Sequence, residues 1–139
     1  MPFIISRTNR SISREQEQQL KTRLGKAIES VPGKSEQYLM LGFEDNCHLW
    51  LRGDDSQPMV YIEAAIWGNE AHLGYDKFTA EVTHIFNEVL GIAPDSIYIP
   101  IATFPTGSGW NEFRQKQISI GHEQNNADHI YRPDDGLVV

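Results

Sequence analysis

The two halves of the chain share one pattern of apolar residues. These residues are Leu20, Leu24, Ala27, Ile28 and Val31 in the first half, and Phe78, Val82, Ile85, Phe86 and Val89 in the second. Each set falls at i, i+4, i+7, i+8 and i+11, which places its members on one face of an α-helix. Because the same spacing occurs twice, the sequence predicts two copies of one supersecondary unit.

Both predicted helices have signals for their ends. Ser13 followed by Gln16 is a capping-box pattern for the first helix, and Asp76 brings a carboxylate to the first turn of the second. Gly33 marks the end of the first helix and Gly91 the end of the second.

Apolar, β-prone segments flank each helix. We predict strands at 2–5 and 38–43 around the first helix, strands at 59–66 and 97–102 around the second, and an inserted strand at 47–51. A strand, helix, strand order that occurs twice is a duplicated β-α-β unit, and the right-handed crossover makes the two strands of each unit parallel. The predicted fold is therefore α+β (α/β), with two helices on one face of a four-stranded mixed sheet.

The second face of this sheet has no predicted helix to cover it. The strand at 59–66 nevertheless carries apolar side chains on both sides. We expect other copies of the chain to bury this face, which favours a closed homo-oligomer. A monomer whose polar C-terminal segment lies over the sheet remains an alternative.

Composition limits the class of protein. With 139 residues, of which 40% are hydrophobic, the chain suits one domain. The net charge is -7 and the basic residues are scattered, which argues against nucleic acid as a partner. A lone Cys47, no predicted leader and no long apolar stretch favour a cytoplasmic protein with no membrane partner, although secretion without a leader stays open.

A series of short motifs follows one order along the chain. They are Met1-Pro2, Thr8-Asn9, Gly33-Lys34, Gln37-Tyr38, Ile66, Ser96-Ile97-Tyr98-Ile99 and Gly109-Trp110-Asn111. In this order the chain resembles macrophage migration inhibitory factor and its tautomerase superfamily. The resemblance covers residues 2–113, and it implies a homotrimeric barrel of duplicated β-α-β units with the helices outside. We expect a tautomerase-like domain at 1–113 and a polar C-terminal extension at 114–139.

The resemblance also implies an activity without a cofactor or metal. Tautomerisation of a 2-keto acid such as phenylpyruvate needs a base with a pKa near neutral. The secondary amine of Pro2, freed by loss of Met1, is the implied catalytic group. Burial among apolar groups and a nearby cation favour its neutral form. Phe3, Ile66 and Tyr98 are expected to supply the apolar surroundings, and Lys34 the positive charge.

The other implied site residues contact the substrate. Lys34 and the backbone amide of Ile66 are expected to bind its carboxylate, and the Ile66 side chain to line the pocket. Tyr98 resembles a tyrosine contributed by a neighbouring subunit. Tyr38 and Trp110 resemble aromatic residues at the pocket rim, and Trp110 could instead anchor the subunit interface.

Departures from the family pattern leave alternatives open. Pro100 replaces an asparagine, and Trp67 occupies a position where a small residue is common and could narrow the pocket. A binding or cytokine-type module without catalysis is one alternative. A decarboxylase or dehalogenase is another, and it is disfavoured because Arg7 and Arg52 match no family motif. His122, Asp128 and His129 lack the spacing of a metal site.

Overall fold

Two β-α-β units make up most of the computed structural model, which describes residues 1–105, 131–132 and 137–138. The first unit comprises β1 (Phe3–Thr8), α1 (Arg14–Ala27) and β2 (Met40–Glu44). The second comprises β3 (Val60–Trp67), α2 (Tyr75–Leu90), β4 (Ile97–Tyr98) and β5 (Ile101–Phe104). Two further short strands, β6 (Tyr131–Arg132) and β7 (Leu137–Val138), pair with each other antiparallel. The predicted extension at 114–139 otherwise lies outside the described residues.

The strands form a mixed sheet in the order β2-β1-β3-β4, and β5 also pairs with β3. The strands within each unit are parallel, with Phe3 opposite Met40 and Ala65 opposite Ala102. The two units meet through the antiparallel pair β1 and β3, where Phe3 lies opposite Ala65. The predicted fold class and duplicated unit are confirmed.

Capping sets the start of α1 and the end of α2 as predicted, whereas α1 ends at Ala27, before the predicted stop at Gly33. The Ser13 hydroxyl accepts a hydrogen bond from the Gln16 backbone N–H at 3.1 Å, and the Gln16 side chain accepts one from the Ser13 N–H at 2.9 Å. Helix α2 ends at Gly91, whose φ of 68° is in the left-handed region that glycine tolerates. Helix α1 is shorter than its apolar pattern, because Ile28 lies in a 3₁₀ turn.

One hydrophobic core lies between the helices and the sheet. All but one of the residues with the repeated helical spacing are buried there, and Val89 is partly buried. The sheet contributes Ile4 from β1 and alternate residues of β3. Those β3 residues are Val60, Ile62, Ala64 and Ile66. Both helices therefore pack on one sheet face. Neither is long and apolar enough to cross a bilayer in the described part of the chain.

A smaller cluster lies on the sheet face opposite the helices. It contains Ala65, Trp67, Ala102 and Phe104, with Phe3 packed against them. These residues alternate with the core residues along the strands, since successive side chains of a strand point to opposite faces. The prediction that this face carries apolar groups is confirmed.

Two strand predictions need correction. Segment 47–51 is not a strand, because Leu51 and Asp54 exchange both backbone hydrogen bonds at 3.0 Å and close a tight turn. The predicted strand at 97–102 is interrupted between β4 and β5. Pro100 lies in the gap and has no N–H to donate, although its carbonyl still accepts from the Ala64 N–H at 3.1 Å.

Candidate functional site

The sheet topology brings the start of the chain to the end of β3. The Pro2 carbonyl accepts a hydrogen bond from the Met40 N–H at 3.1 Å, so Pro2 lies beside the start of β2. Because Phe3 pairs with Ala65, the antiparallel register places Pro2 next to Ile66. Pro2 is itself buried.

Lys34 reaches the same end of the sheet from the loop after α1. A turn positions its backbone, since the Lys34 N–H donates to the Val31 carbonyl at 3.1 Å and Gly33 has a φ of 78°. The Lys34 ammonium then donates to the backbone carbonyl of Trp67, at the end of β3. A positive charge is thereby fixed close to the start of the chain.

The terminal amine has an altered environment at this position. Partial burial, and then the positive charge of Lys34, lower the pKa of the Met1 α-amine from its ordinary value. Both effects disfavour the protonated form. Met1 precedes Pro2 in this structure, so the nitrogen of Pro2 is a peptide amide here.

The other predicted residues at this end take different positions. Tyr38 is 59% exposed and lies two residues before β2, at the same end of the sheet as Pro2. Phe3 is half-buried against the cluster on the sheet face opposite the helices. Ile66 is fully buried in the core between the helices and the sheet, and its expected place in a pocket wall stays a prediction.

The side chain of Trp67 is buried. The side chain is 3% exposed and is stacked on Phe104 at a ring-centroid distance of 4.8 Å. That Trp67 could narrow the pocket stays a prediction. Its backbone carbonyl accepts a hydrogen bond from the Lys34 ammonium.

Tyr98 lies at the opposite end of the sheet from Pro2. It pairs with Tyr61, five residues before Ile66 on β3, which is about 16 Å away at the rise of a β-strand. The residue is 51% exposed and lines a cavity of about 190 Å³ with Trp50 and Tyr61. One chain therefore does not bring Tyr98 to Pro2. Trp110 lies outside the described residues.

A charged group on the sheet was not predicted. Arg7 donates to Glu63 at 2.8 Å and to Glu44 at 3.2 Å, on the sheet face opposite the helices. Burial acts to lower the pKa of Arg7, but its hydrogen bonds to the two carboxylates and their charges outweigh burial and raise it. Alternation along β1 and β3 places Arg7 and Glu63 on the same face of the sheet. The antiparallel register of the two strands could therefore have predicted this ion pair.

Within the described ranges, no three His, Cys, Asp or Glu side chains are grouped as metal ligands. What the Pro2 end of the sheet does hold is a partly buried terminal amine, an ammonium and an exposed tyrosine. In this set, an amine can accept a proton and an ammonium can bind a small anion.

The mixed sheet of duplicated units with two helices is the fold of solved structures of macrophage migration inhibitory factors. MIF2 from Leishmania major superposes with a TM-score of 0.68 at 22% identity, covering 74% of this chain and 88% of that one. A migration inhibitory factor homologue from Prochlorococcus marinus superposes with a TM-score of 0.63 at 23% identity, covering 74% and 89%. Pt0534 inactivated by 2-oxo-3-pentynoate superposes with a TM-score of 0.67 at 15% identity, covering 76% of this chain and 88% of that one.

These structures confirm the predicted resemblance at the level of the fold. No protein-family profile matches the sequence, and no curated protein matches it either.

Proposed function

We propose that the chain, after removal of Met1, interconverts keto and enol forms of 2-keto acids, with the secondary amine of Pro2 as the proton-transferring group. The observation that carries the proposal is the pairing of a terminal amine of lowered pKa with the Lys34 ammonium at one end of the sheet. Loss of Met1 would give Pro2 the free amine at this position.

The chemistry follows from those two groups. A lowered pKa increases the neutral fraction of an amine, and the neutral amine can take a proton from the carbon beside the substrate carbonyl. The same nitrogen can then return a proton to the enolate. Lys34 would bind the substrate carboxylate, because its ammonium has three N–H groups and gives only one of them to the Trp67 carbonyl.

The remaining parts of the site belong to the same proposal. The Ile66 backbone amide would be a second contact for the carboxylate, and Tyr38 with Trp110 would form the rim. A homotrimer would bring Tyr98 from a neighbouring subunit, since the two ends of the sheet are far apart in one chain. A protein of this fold is inactivated by 2-oxo-3-pentynoate, a 2-oxo acid, which favours this class of substrate.

The test is the ketonisation of enol-phenylpyruvate, followed by ultraviolet absorbance. The parent chain is compared with a Pro2→Gly variant, and intact mass establishes that Met1 is absent from both. We expect the variant to be at least about a hundredfold slower, as for the loss of a general acid-base group. Pro94→Ala, at an exposed turn before β4, is the matched control and should keep the parent rate.

A trimmed and trimeric parent that is inert with this and related 2-keto acids would contradict the proposal. The binding module without catalysis would then replace it. Equal rates for the parent and Pro2→Gly would instead show that another group moves the proton.

A further inference from the structure

We propose that Trp67 is a positioning residue, whose ring, stacked on Phe104, fixes the backbone carbonyl that holds the Lys34 ammonium beside the start of the chain. The part of this inference that concerns substrate binding rests on the proposed function. The part that concerns the placement of Lys34 does not.

The ammonium of Lys34 needs an acceptor to stay in one place. Its four-carbon stem is flexible, and the turn that anchors its backbone to Val31 does not fix the side chain. The Trp67 carbonyl is the acceptor that the described chain gives to this ammonium. The position of the charge therefore depends on the position of that carbonyl.

One peptide group carries both the anchor and the acceptor. The Gly68 N–H, which belongs to the same peptide group as the Trp67 carbonyl, donates to the Phe104 carbonyl at 2.8 Å. In a trans peptide the C=O and N–H point in opposite directions. The hydrogen bond to β5 therefore turns the Trp67 carbonyl away from that strand, and Lys34 meets it there.

The Trp67 ring ties this peptide group to the same residue of β5. Trp67 and Phe104 are register partners on β3 and β5, and their rings stack at 4.8 Å with an interplanar angle of 24°. Side chain and backbone of Trp67 are thus both tied to Phe104. A smaller residue at position 67 would remove this ring stack from the end of β3.

Two properties of the site follow from this arrangement. A fixed ammonium presents its remaining N–H groups to a carboxylate in one geometry, which favours substrate binding. It also keeps a positive charge near the terminal amine, which disfavours the protonated amine.

The test uses Trp67→Leu and Trp67→Phe, each made in the parent chain and in a Lys34→Met chain. KM and kcat are measured with enol-phenylpyruvate. The protonation of the Pro2 amine is measured separately, by the pH dependence of its reaction with acetic anhydride, in which the amine displaces acetate and loses its proton. The mass of the N-terminal peptide reports this reaction without any need for turnover.

We expect Trp67→Leu to raise KM about tenfold, as for a weakened hydrogen bond to a charged group, with a smaller change in kcat. The midpoint of acetylation should move to higher pH, because the ammonium is no longer held near the amine. Trp67→Phe keeps an aromatic ring for the stack and should stay close to the parent. In the Lys34→Met chain neither substitution should have a further effect.

The proposal is overturned if Trp67→Leu leaves both KM and the midpoint unchanged, or if it has the same effects without Lys34. An inert parent would remove the proposed function only, because the acetylation midpoint still reports where Lys34 lies. If circular dichroism shows that Trp67→Leu is unfolded, Phe104→Leu removes the stack while it keeps Trp67. With Phe104→Leu, an unchanged KM and acetylation midpoint, or the same effects in the Lys34→Met chain, would likewise overturn the proposal.

Discussion

Ser6 is a fully buried residue whose hydroxyl has no hydrogen-bond partner in the described part of the chain. It lies on β1 on the helix-facing side, two residues before Thr8, which is equally buried. The Thr8 hydroxyl, in contrast, donates to the Met59 carbonyl at 2.7 Å. The two residues therefore form a natural comparison of an unsatisfied and a satisfied hydroxyl.

We predict opposite changes in stability at these two positions. Ser6→Ala removes an unsatisfied polar group and should raise the free energy of unfolding by about 1 kcal/mol. Thr8→Val leaves the Met59 carbonyl without its donor and should lower it by roughly 1–2 kcal/mol. Urea unfolding curves measure both changes. A loss of stability in Ser6→Ala would show that its hydroxyl is satisfied after all.

The terminal amine gives a second prediction at the same scale. Burial and Lys34 lower the pKa of the amine at the start of the chain, so the free base persists to lower pH than for an ordinary terminus. We expect the same two effects to lower the pKa of the Pro2 amine once Met1 is removed, so kcat/KM should fall as pH drops through the pKa of that amine. We expect the acid limb of the pH profile to lie below the pKa of a free N-terminal proline peptide, measured in the same buffer. An acid limb at or above the pKa of the free proline peptide would contradict this prediction.

At the scale of elements, the apolar pattern predicted both helices because burial fixes their spacing. Ile28 and Val31 are buried although α1 has ended, which shows that the pattern follows the core and not the helix itself. The prediction of a strand at 47–51 was wrong, because β-prone residues form a strand only where a second strand is available to pair with them. The stack of Trp67 on Phe104 depends on strand register, which no local pattern reveals.

The same limit applies to the candidate site. The motifs predicted Pro2, Lys34 and Tyr38, and the topology brings these three to one end of the sheet. The core position of the Ile66 side chain could have followed from strict alternation along β3. The hydrogen bond from Lys34 to the Trp67 carbonyl could not have been predicted from the sequence, because every residue type carries a backbone carbonyl.

Gly74 allows a test of how α2 begins. Its φ is 79°, and a Cβ added there would lie 2.0 Å from the Ser30 carbonyl oxygen. Gly91, at the other end of α2, has a φ of 68° but nothing within 4 Å of an added Cβ. Gly74→Ala should therefore combine left-handed strain with a backbone clash, whereas Gly91→Ala has the strain alone.

We expect Gly91→Ala to cost about 1–2 kcal/mol and Gly74→Ala roughly 3 kcal/mol or more. Urea unfolding of the two variants beside the parent measures the difference. Equal losses would mean that the backbone around Ser30 can move away at no cost.

At the scale of the whole molecule, Pro2 and Tyr98 lie at opposite ends of one sheet. If a homotrimer forms the site, as proposed, each Pro2 would work with a tyrosine from another chain. Pro2→Gly and Tyr98→Phe would then damage different halves of the same composite site.

Mixing the two variants tests this arrangement. Each should be impaired by itself, and subunits unfolded and refolded together should regain about a quarter of the parent sites, because chance assembly unites an intact Pro2 with an intact Tyr98 in that share. Light scattering establishes the number of subunits. A mixture that stays as slow as its components would show that Pro2 and Tyr98 of different chains do not share a site.

The burial of Pro2 at the start of β1 has a practical consequence. The reacting nitrogen in the proposed mechanism exists only when Pro2 begins the chain, so any residues fused before it turn that nitrogen into an amide. A purification tag on this terminus would abolish activity in every molecule that retains it. Recombinant protein should therefore carry its tag at the other end, or begin with Pro2 after enzymatic cleavage.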